Sequence, residues 1–190
     1  MIIYNWGEIE YSKGREMMQA VHSKALKDKK NHLILCSHPN VFTVGYDEKA
    51  SFYVDTVKCD RGGSITCHSP GQNIYYFCFQ VKNPAFFYKR VIDSFGKFFN
   101  KYLPSVQFDK KNPGFYIGKR KIASLGFRYS QGVSLHGVAL NVDVDLKFHS
   151  QVNPCNLSGI VPTSLKNEGI FLIQNEVNKE MVNFIKESFI

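Results

Sequence analysis

The sequence predicts an α+β fold in which helices flank a mixed or mostly antiparallel β-sheet, with residues 1–190 forming a single domain. Three observations lead to this prediction. Helical and strand-like segments are interleaved without the regular strand–helix–strand rhythm of a parallel α/β protein. A chain of 190 residues is long enough to bury one sizeable core. Its 44% hydrophobic and 21% charged residues are typical of a globular protein and not of a disordered one.

Three segments have the apolar periodicity of amphipathic helices. The first runs from Tyr11 to Lys29, and the third begins at about Asn175. The second begins at Pro84, because proline is favoured in the first turn of a helix. We interpret the apolar stripes of the last two helices as core packing. The predicted inward-facing residues are Phe87, Val91, Phe95, Phe98, Phe99, Val177, Met181, Phe184 and Ile185.

Strand-like segments occupy most of the remaining sequence. The predicted strands are His32–Cys36, Val41–Val44, Val54–Lys58, Asn73–Val81, Phe115–Gly118, Lys121–Leu125 and Ser134–Val142. Asn73–Val81 is too continuously apolar for a sheet edge, so we place it in the centre. A turn at Lys119-Arg120 joins two strands as a hairpin. A loop is predicted from His149 to Thr163.

The chain carries a net charge of +8, which favours an anionic partner. Its basic residues form short clusters on different segments, at Lys27–Lys30, Lys110-Lys111 and Lys119–Lys121, instead of one dense arm. This distribution favours an acidic protein partner over nucleic acid.

No apolar run approaches the roughly 20 residues that span a bilayer, and the N-terminal segment lacks the features of a signal peptide. We therefore expect a cytoplasmic protein without membrane attachment. Five cysteines, an odd number without a CxxC pair, are expected to be free thiols. Cys36, Cys59, Cys67 and Cys78 are predicted to pack as small apolar residues. No set of residues has the spacing of zinc ligands, so no metal site is expected.

The densest candidate site is the glycine-rich stretch from Arg61 to Gln72. Its adjacent Gly62 and Gly63 permit a close approach to a ligand or an unusual backbone conformation. It contains neither phosphate-loop pattern, GxxxxGK[ST] or GxGxxG. Taken alone, this stretch fits a tight connection between strands as well as a ligand-binding loop.

The second candidate is Cys155, in the polar segment Val152–Gly159. Pro154 restricts the backbone just before the thiol, and a defined loop follows. A nucleophilic cysteine needs a nearby cation that stabilises its thiolate. Lys121, His136 and His149 are the candidate cations. The local sequence alone leaves open whether Cys155 is a nucleophile or an inert thiol.

Together, the motifs closely resemble the lipoyl(octanoyl) transferase family, over about His32 to Leu165. The matching segments are His38–Gly45, Asp60–Gln72, Gly118–Gly126, Leu135–Val142 and Asn153–Cys155. Their order and spacing make the resemblance more specific than any one motif. It implies the fold of the catalytic domain that lipoate and biotin protein ligases share.

The resemblance also implies a reaction without a cofactor. Octanoate passes from the phosphopantetheine thioester of acyl carrier protein to Cys155, which Lys121 activates, and then to a lysine ε-amino group. The implied acceptors are the lipoyl domains of 2-oxoacid dehydrogenases and the glycine cleavage H protein. The residues that the family's acyl-binding segments match are Arg61, Gly62, Gly63, Ser64, Ile65, Thr66, Cys67, His68, Ser124, Leu125, Gly126, Gly137, Val138 and Ala139. The oxyanion donor is an amide of the glycine-rich loop or one at Leu125-Gly126.

Three positions depart from the family pattern: Cys67 replaces a tyrosine, Ser69 a glycine and Asn156 a glycine. Cys67 removes bulk beside the implied acyl slot, which leaves the preferred chain length open. Three alternative functions are an octanoyl amidotransferase between lipoyl domains, an ATP-dependent lipoate ligase, and a basic binding module without turnover.

Overall fold

A computed structural model describes residues 1–46, 48–152 and 159–190, which form eleven strands and four helices. The strands are β1 Ile2–Glu8, β2 His32–Ser37, β3 Val41–Val44, β4 Thr56–Lys58, β5 Ile65–His68, β6 Gln72–Cys78, β7 Gln107–Asp109, β8 Gly114–Ile117, β9 Arg120–Ser130, β10 Val133–Asn141 and β11 Val161–Pro162. The helices are α1 Tyr11–Asp28, α2 Pro84–Tyr102, α3 Leu146–His149 and α4 Gln174–Ser188. Asp47 and residues 153–158 lie outside the described residues, and these include the implied nucleophile Cys155 and its neighbour Asn156.

The main sheet has eight strands in the order β1-β2-β6-β10-β9-β8-β7, with β11 paired to β9. Strands β1 and β2 are parallel, as are β11 and β9, whereas the other pairs are antiparallel. This confirms the predicted α+β class with a mixed, mostly antiparallel sheet. A second sheet has the order β4-β3-β5.

Strand β6 lies in the interior of the main sheet, as predicted, and all seven of its residues are buried. Its side chains alternate between two apolar clusters. Ile74, Tyr76 and Cys78 pack with residues of α1, whereas Tyr75 and Phe77 pack with residues of α2 and α4. Because both faces of the strand are covered, its sequence is continuously apolar.

Helices α2 and α4, which cover the face of β6 that carries Tyr75 and Phe77, follow the sequence prediction closely. Asn83 caps α2 by accepting a hydrogen bond from the Phe86 amide, and Pro84 is the first helical residue. The five predicted inward residues of α2 are buried, and so are Val177, Met181 and Ile185 of α4; Phe184 is half-buried against the same core.

Several local predictions were wrong. The glycine-rich stretch from Arg61 to Gln72, which was interpreted as a loop, contains β5. This strand pairs with β3, and its Ile65 is buried. The predicted loop from His149 to Thr163 contains β11, and the helix α3 ends at His149. The hairpin turn lies at Gly118-Lys119, one residue earlier than predicted, because Gly118 adopts the left-handed conformation (φ +57°) that such a turn needs. Strands β1 and β7 were not predicted, since polar residues interrupt their patterns.

Two glycine substitutions should change stability in opposite directions. Gly96 lies inside α2 with open space around the position of an added Cβ, so Gly96→Ala should raise the free energy of unfolding by about 0.5–1 kcal/mol. An added Cβ at Gly137 would overlap the carbonyl oxygen of Tyr75 on the neighbouring strand, so Gly137→Ala should cost about 3 kcal/mol or more. Urea denaturation of both variants checks this pair; equal stabilities would contradict the packing of β10 against β6.

Candidate active site

Three adjoining cavities lie between the glycine-rich segment, β9 and β10. The inner cavity is lined by Tyr11, Arg61, Thr66, His68, Ile74, Tyr76, Ser124, Leu125, Gly126, His136, Gly137, Val138 and Ala139. The lysine cavity is lined by Thr66, Cys67, Gln72, Lys121, Ala123, Ser124, Asn141, His149, Val152 and Pro162. The outer cavity, about 270 Å³, is lined by Arg61, Gly62, Gly63, Ser64, Ile65, Thr66, Tyr88, Pro113, Lys121, Ser124, Leu125, Gly126, Phe127 and Tyr129.

Every substrate-binding residue named from the sequence lines at least one of these cavities. Thr66 and Ser124 line all three, so the cavities meet at these two residues. Lys121 lines the lysine cavity and the outer cavity. The structure thus brings together segments that lie more than 70 residues apart along the chain.

The β9–β10 ladder and one loop contact assemble the cavity walls. Ser124 pairs with Ala139, and Gly126 pairs with Gly137. The Gly62 amide donates to the Phe127 carbonyl over 3.2 Å, which joins the glycine-rich loop to β9. An added Cβ at Gly126 would lie 3.0 Å from the Gly62 oxygen, so the close approach depends on glycine at this position.

Arg61 is buried, and its guanidinium fixes the glycine-rich loop. Nη1 donates to the carbonyl oxygens of Gly62 (3.1 Å) and Ser64 (2.9 Å). Nη2 donates to the carbonyl oxygen (2.8 Å) and the hydroxyl (2.9 Å) of Thr43. Nε is buried and has no hydrogen-bond partner among the described residues. Four of the five N–H hydrogens of the Arg61 guanidinium are therefore hydrogen-bonded within the protein. Arg61 itself lines the inner and the outer cavity.

Lys121 is 6% exposed and lies near the start of β9. Its Nζ atom is 5.4 Å from the centroid of the Tyr116 ring. Its Cε atom would be only 2.7 Å from a Cβ added at Gly114, so Gly114 leaves the space that the lysine side chain occupies. On the other side, Lys121 pairs with Pro162 of β11, and its carbonyl accepts the Thr163 amide over 2.9 Å.

The two histidines that the sequence offered as cations are neutral at pH 7. Burial lowers the pKa of His149 to about 4, and its Nε2 lies 2.9 Å from the Ser69 hydroxyl. Burial also lowers the pKa of His136, whose Nε2 donates to Asp60 over 2.8 Å. The Asp60 pKa lies well below its usual range, mainly because of this hydrogen bond, so the carboxylate is ionised. These lowered pKa values argue against both histidines as the cation that would stabilise a thiolate.

The four described cysteines are buried thiols, as predicted. Burial raises the pKa of Cys67 and of Cys78 to about 12, and it also raises the pKa of Cys36. Cys67 lines the lysine cavity, but a thiol with this pKa has almost no thiolate at neutral pH. It is therefore a poor nucleophile despite its position.

The sequence did not assign several of the lining residues to the site. These are Tyr11, Gln72, Ile74, Tyr76, Tyr88, Pro113, Ala123, Phe127, Tyr129, Asn141, Val152 and Pro162. Gln72 and Asn141 lie within the quoted motifs and hydrogen-bond each other at 2.9 Å, so their place in the motifs was a usable signal. The tyrosines of α1, α2 and β9 carried no such signal, because only long-range packing brings them to the cavities.

The buried histidines predict how stability depends on pH. The pKa values of His38, His68, His136 and His149 are all lowered in the folded state, mainly by burial. Below pH 6.5 the unfolded chain therefore binds more protons, and the free energy of unfolding should fall as the pH decreases from 7 to 4. For His149, a shift from 6.5 to about 4 corresponds to about 3 kcal/mol.

Urea denaturation between pH 7 and pH 4 measures this loss, with His149→Gln as the matched variant. Glutamine keeps a hydrogen-bonding group toward Ser69 but does not titrate, so the loss should be smaller in the variant. The same pH dependence in both proteins would exclude His149 as a contributor.

The fold is that of ligases that attach lipoate or biotin to proteins. A crystal structure of lipoate-protein ligase A bound with ATP superimposes with a TM-score of 0.74 at 16% identity, covering 100% of this chain and 86% of that one. The bipartite lipoate protein ligase of Thermoplasma acidophilum gives a TM-score of 0.72 at 14% identity, covering 99% of this chain and 83% of that one. Biotin protein ligase of Leishmania major gives a TM-score of 0.56 at 9% identity, covering 97% of this chain and 72% of that one. At these identities, the likeness establishes the fold alone.

Sequence relatives define the family more narrowly. The family model of the lipoyl protein ligase A/B catalytic domain matches residues 10–183. The octanoyltransferase of Wigglesworthia glossinidia brevipalpis is 35% identical over 182 residues, covering 90% of this chain and 83% of that protein. The octanoyltransferase of Psychromonas ingrahamii is 37% identical over 152 residues, covering 75% of this chain and 70% of that protein. The chain therefore belongs to the lipoyl protein ligase A/B family and, within it, to the octanoyltransferases, which are acyltransferases.

The described ranges lack a membrane-spanning helix and a cluster of metal-ligating side chains. No helix there is long and apolar enough to cross a membrane. No group of three or more His, Cys, Asp or Glu side chains among these residues is arranged to hold a metal ion.

Proposed function

We propose that this chain transfers an octanoyl group from octanoyl–acyl carrier protein to a lysine of a lipoyl domain, through a thioester on Cys155. The acceptors are the lipoyl domains of 2-oxoacid dehydrogenases and the glycine cleavage H protein. Lys121 activates the cysteine, and the glycine-rich segment, Ser124–Gly126 and Gly137–Ala139 bind the acyl donor. Membership of the octanoyltransferases supports the overall reaction.

One observation supports the pairing of Cys155 with Lys121 most directly. Val152 and Pro162, which lie on either side of the segment that carries Cys155, both line the lysine cavity. Both flanks of the segment that carries Cys155 thus lie at the cavity that Lys121 also lines, which supports Lys121 as its partner.

Protons balance over the two half-reactions when Lys121 gives up a proton in the first and regains one in the second. In the first, the Cys155 thiolate attacks the thioester carbonyl, the carbon–sulfur bond to pantetheine breaks, and the departing thiolate takes a proton from the Lys121 ammonium. In the second, the acceptor amine attacks the Cys155 thioester, its proton passes to neutral Lys121, and the amide forms as the Cys155 thiolate leaves. The thiolate–ammonium pair is thereby restored.

Hydrogen bonds favour the glycine-rich loop over Leu125 as the oxyanion donor. The Leu125 amide already donates to the Pro113 carbonyl over 3.3 Å. The Gly63 and Ser64 amides have no acceptor among the described residues, and both residues line the outer cavity beside Lys121. Backbone amides placed in this way stabilise the negative charge that develops on a tetrahedral intermediate.

Intact-protein mass spectrometry tests the proposal. Incubation with octanoyl–acyl carrier protein should give one octanoyl adduct that hydroxylamine removes, and addition of a lipoyl domain should move the octanoyl group to that domain. A parallel incubation with octanoate, ATP and lipoyl domain should release no pyrophosphate and leave the domain unmodified. Modification only in the ATP reaction would replace the proposal with a ligase activity. Modification only with an octanoylated lipoyl domain as donor would indicate an amidotransferase.

A further inference from the structure

The outer cavity has a second wall that neither the sequence motifs nor the proposed acyl-binding residues account for. Tyr88 of α2, Pro113, Phe127 and Tyr129 face the glycine-rich segment across this cavity. Tyr129 at its rim is 38% exposed, whereas Lys121 at its inner end is 6% exposed. The cavity thus leads from the surface to the reacting lysine.

Ring contacts hold this wall in place. The centroids of Tyr88 and Phe127 are 5.9 Å apart and their planes are nearly perpendicular; Tyr129 makes the same kind of contact with the buried Phe87, also at 5.9 Å. Burial raises the pKa of Tyr88 to about 12, so its phenol keeps its proton at neutral pH. The wall therefore offers apolar ring surfaces together with two neutral hydroxyls, which both donate and accept hydrogen bonds.

The opposite wall is the glycine-rich segment, which contributes Arg61, Gly62, Gly63, Ser64, Ile65 and Thr66. The cavity as a whole suits a slender chain in which short methylene runs alternate with amides.

We propose that the outer cavity binds the pantetheine arm of the carrier-linked acyl donor, between the Tyr88–Tyr129 wall and the glycine-rich segment. This inference rests on the proposed function. The arm contains two amides, each with one carbonyl acceptor and one N–H donor. An acyl tail has no such groups and would leave the phenols of Tyr88 and Tyr129 unpaired. The acceptor lysine offers an amine at its tip but no amide along its stem.

The volume and position of the cavity agree with this occupant. About 270 Å³ lies just below the range for small-ligand pockets, about 300–1,000 Å³, which suits a slender ligand. A thioester attached to a carrier protein must reach Lys121 through an opening at the surface, because the carrier itself stays outside. Coenzyme A carries the same arm, so the choice of the carrier as its source needs a separate comparison.

Three octanoyl donors test the proposal: octanoyl–acyl carrier protein, octanoyl-coenzyme A, and S-octanoyl-N-acetylcysteamine, which keeps only one amide of the arm. For Tyr129→Ala, kcat/KM of enzyme acylation should fall about tenfold, or about 1.4 kcal/mol, with both donors that carry the full arm. It should stay within about twofold of wild type with the truncated donor. Phe86→Ala is the matched control, because this exposed aromatic of α2 lines none of the three cavities.

Each outcome decides a separate point. Equal losses with all three donors would place the acyl chain in the outer cavity and overturn the proposal, and so would no loss with any of them. If wild type accepts octanoyl-coenzyme A as well as the carrier-linked donor, the carrier is not the specific source of the arm. A wild-type protein that no donor acylates would refute the proposed function instead. Should Tyr129→Ala fail to fold, the double variant Tyr88→Phe, Tyr129→Phe removes only the hydroxyls and should show the same donor dependence, at about threefold.

Discussion

Octanoyl transfer by Cys155→Ala should be at least about a thousandfold slower than by wild type, and the hydroxylamine-labile adduct should disappear. Without the thiol, the acyl group has no covalent acceptor on the enzyme, and the amine would have to attack the carrier-linked thioester directly. The fold should persist, because the substitution lies outside the helices and strands described. Mass spectrometry of the adduct and a thermal melt measure the two effects separately.

Two other cysteine variants sharpen this experiment. Cys78→Ala is the matched control, because Cys78 is a fully buried thiol of β6 that lines none of the three cavities. It should keep the adduct and lose only some stability. Cys67→Ala should also keep the adduct, since a thiol with a pKa of about 12 does not compete as nucleophile. An adduct that survives in Cys155→Ala and vanishes in Cys67→Ala would move the nucleophile to β5.

Lys121→Ala should lower the rate of transfer by about a hundredfold to ten-thousandfold, the range typical of a lost general base. The thiolate of Cys155 would also lose its cation, so alkylation of this thiol should shift to higher pH. Binding of the carrier protein should change little. The pH dependence of alkylation and the rate of acylation, both measured on wild type and variant, test the two roles of the lysine. Lys97→Ala, an exposed lysine of α2, is the control.

Lys121→Arg separates charge from proton transfer. A guanidinium stays protonated, so it can stabilise the thiolate but cannot accept the proton of the attacking amine. We expect alkylation to remain closer to wild type than in Lys121→Ala, while transfer to the lipoyl domain stays low. Transfer by Lys121→Arg within about threefold of wild type would show that the lysine does not act as a base.

Much of the candidate site could be proposed from the sequence because its residues come in contiguous motifs. Arg61–His68, Ser124–Gly126 and Gly137–Ala139 are each short runs, and the β9–β10 ladder then brings two of them side by side. The fold class was predictable for a similar reason, since the apolar run of β6 and the stripe of α2 are local patterns. These predictions required no knowledge of which distant residues meet.

The parts that escaped prediction depend on long-range packing. Tyr88 was not among the predicted inward residues of α2, and nothing local indicates that it meets Tyr129 beside a cavity. Gly114 makes room for Lys121 across the β8–β9 pair, whose register shifts between Phe115 and Tyr116. Strand β5 was read as loop because its glycine-rich flank suggested a turn, while its pairing with β3 could not be seen in the sequence.

The hydrogen bonds of Arg61 also bear on the thermodynamics of binding. Because one side chain already fixes the carbonyls of Gly62, Ser64 and Thr43, the conformational entropy of this loop is lost when the chain folds and not when a ligand arrives. Calorimetric titration with a non-hydrolysable octanoyl-pantetheine analogue should therefore show a small entropic penalty for the protein. In Arg61→Met, the same ligand would have to order the loop itself, and the loss of affinity would appear mainly as a less favourable entropy of binding.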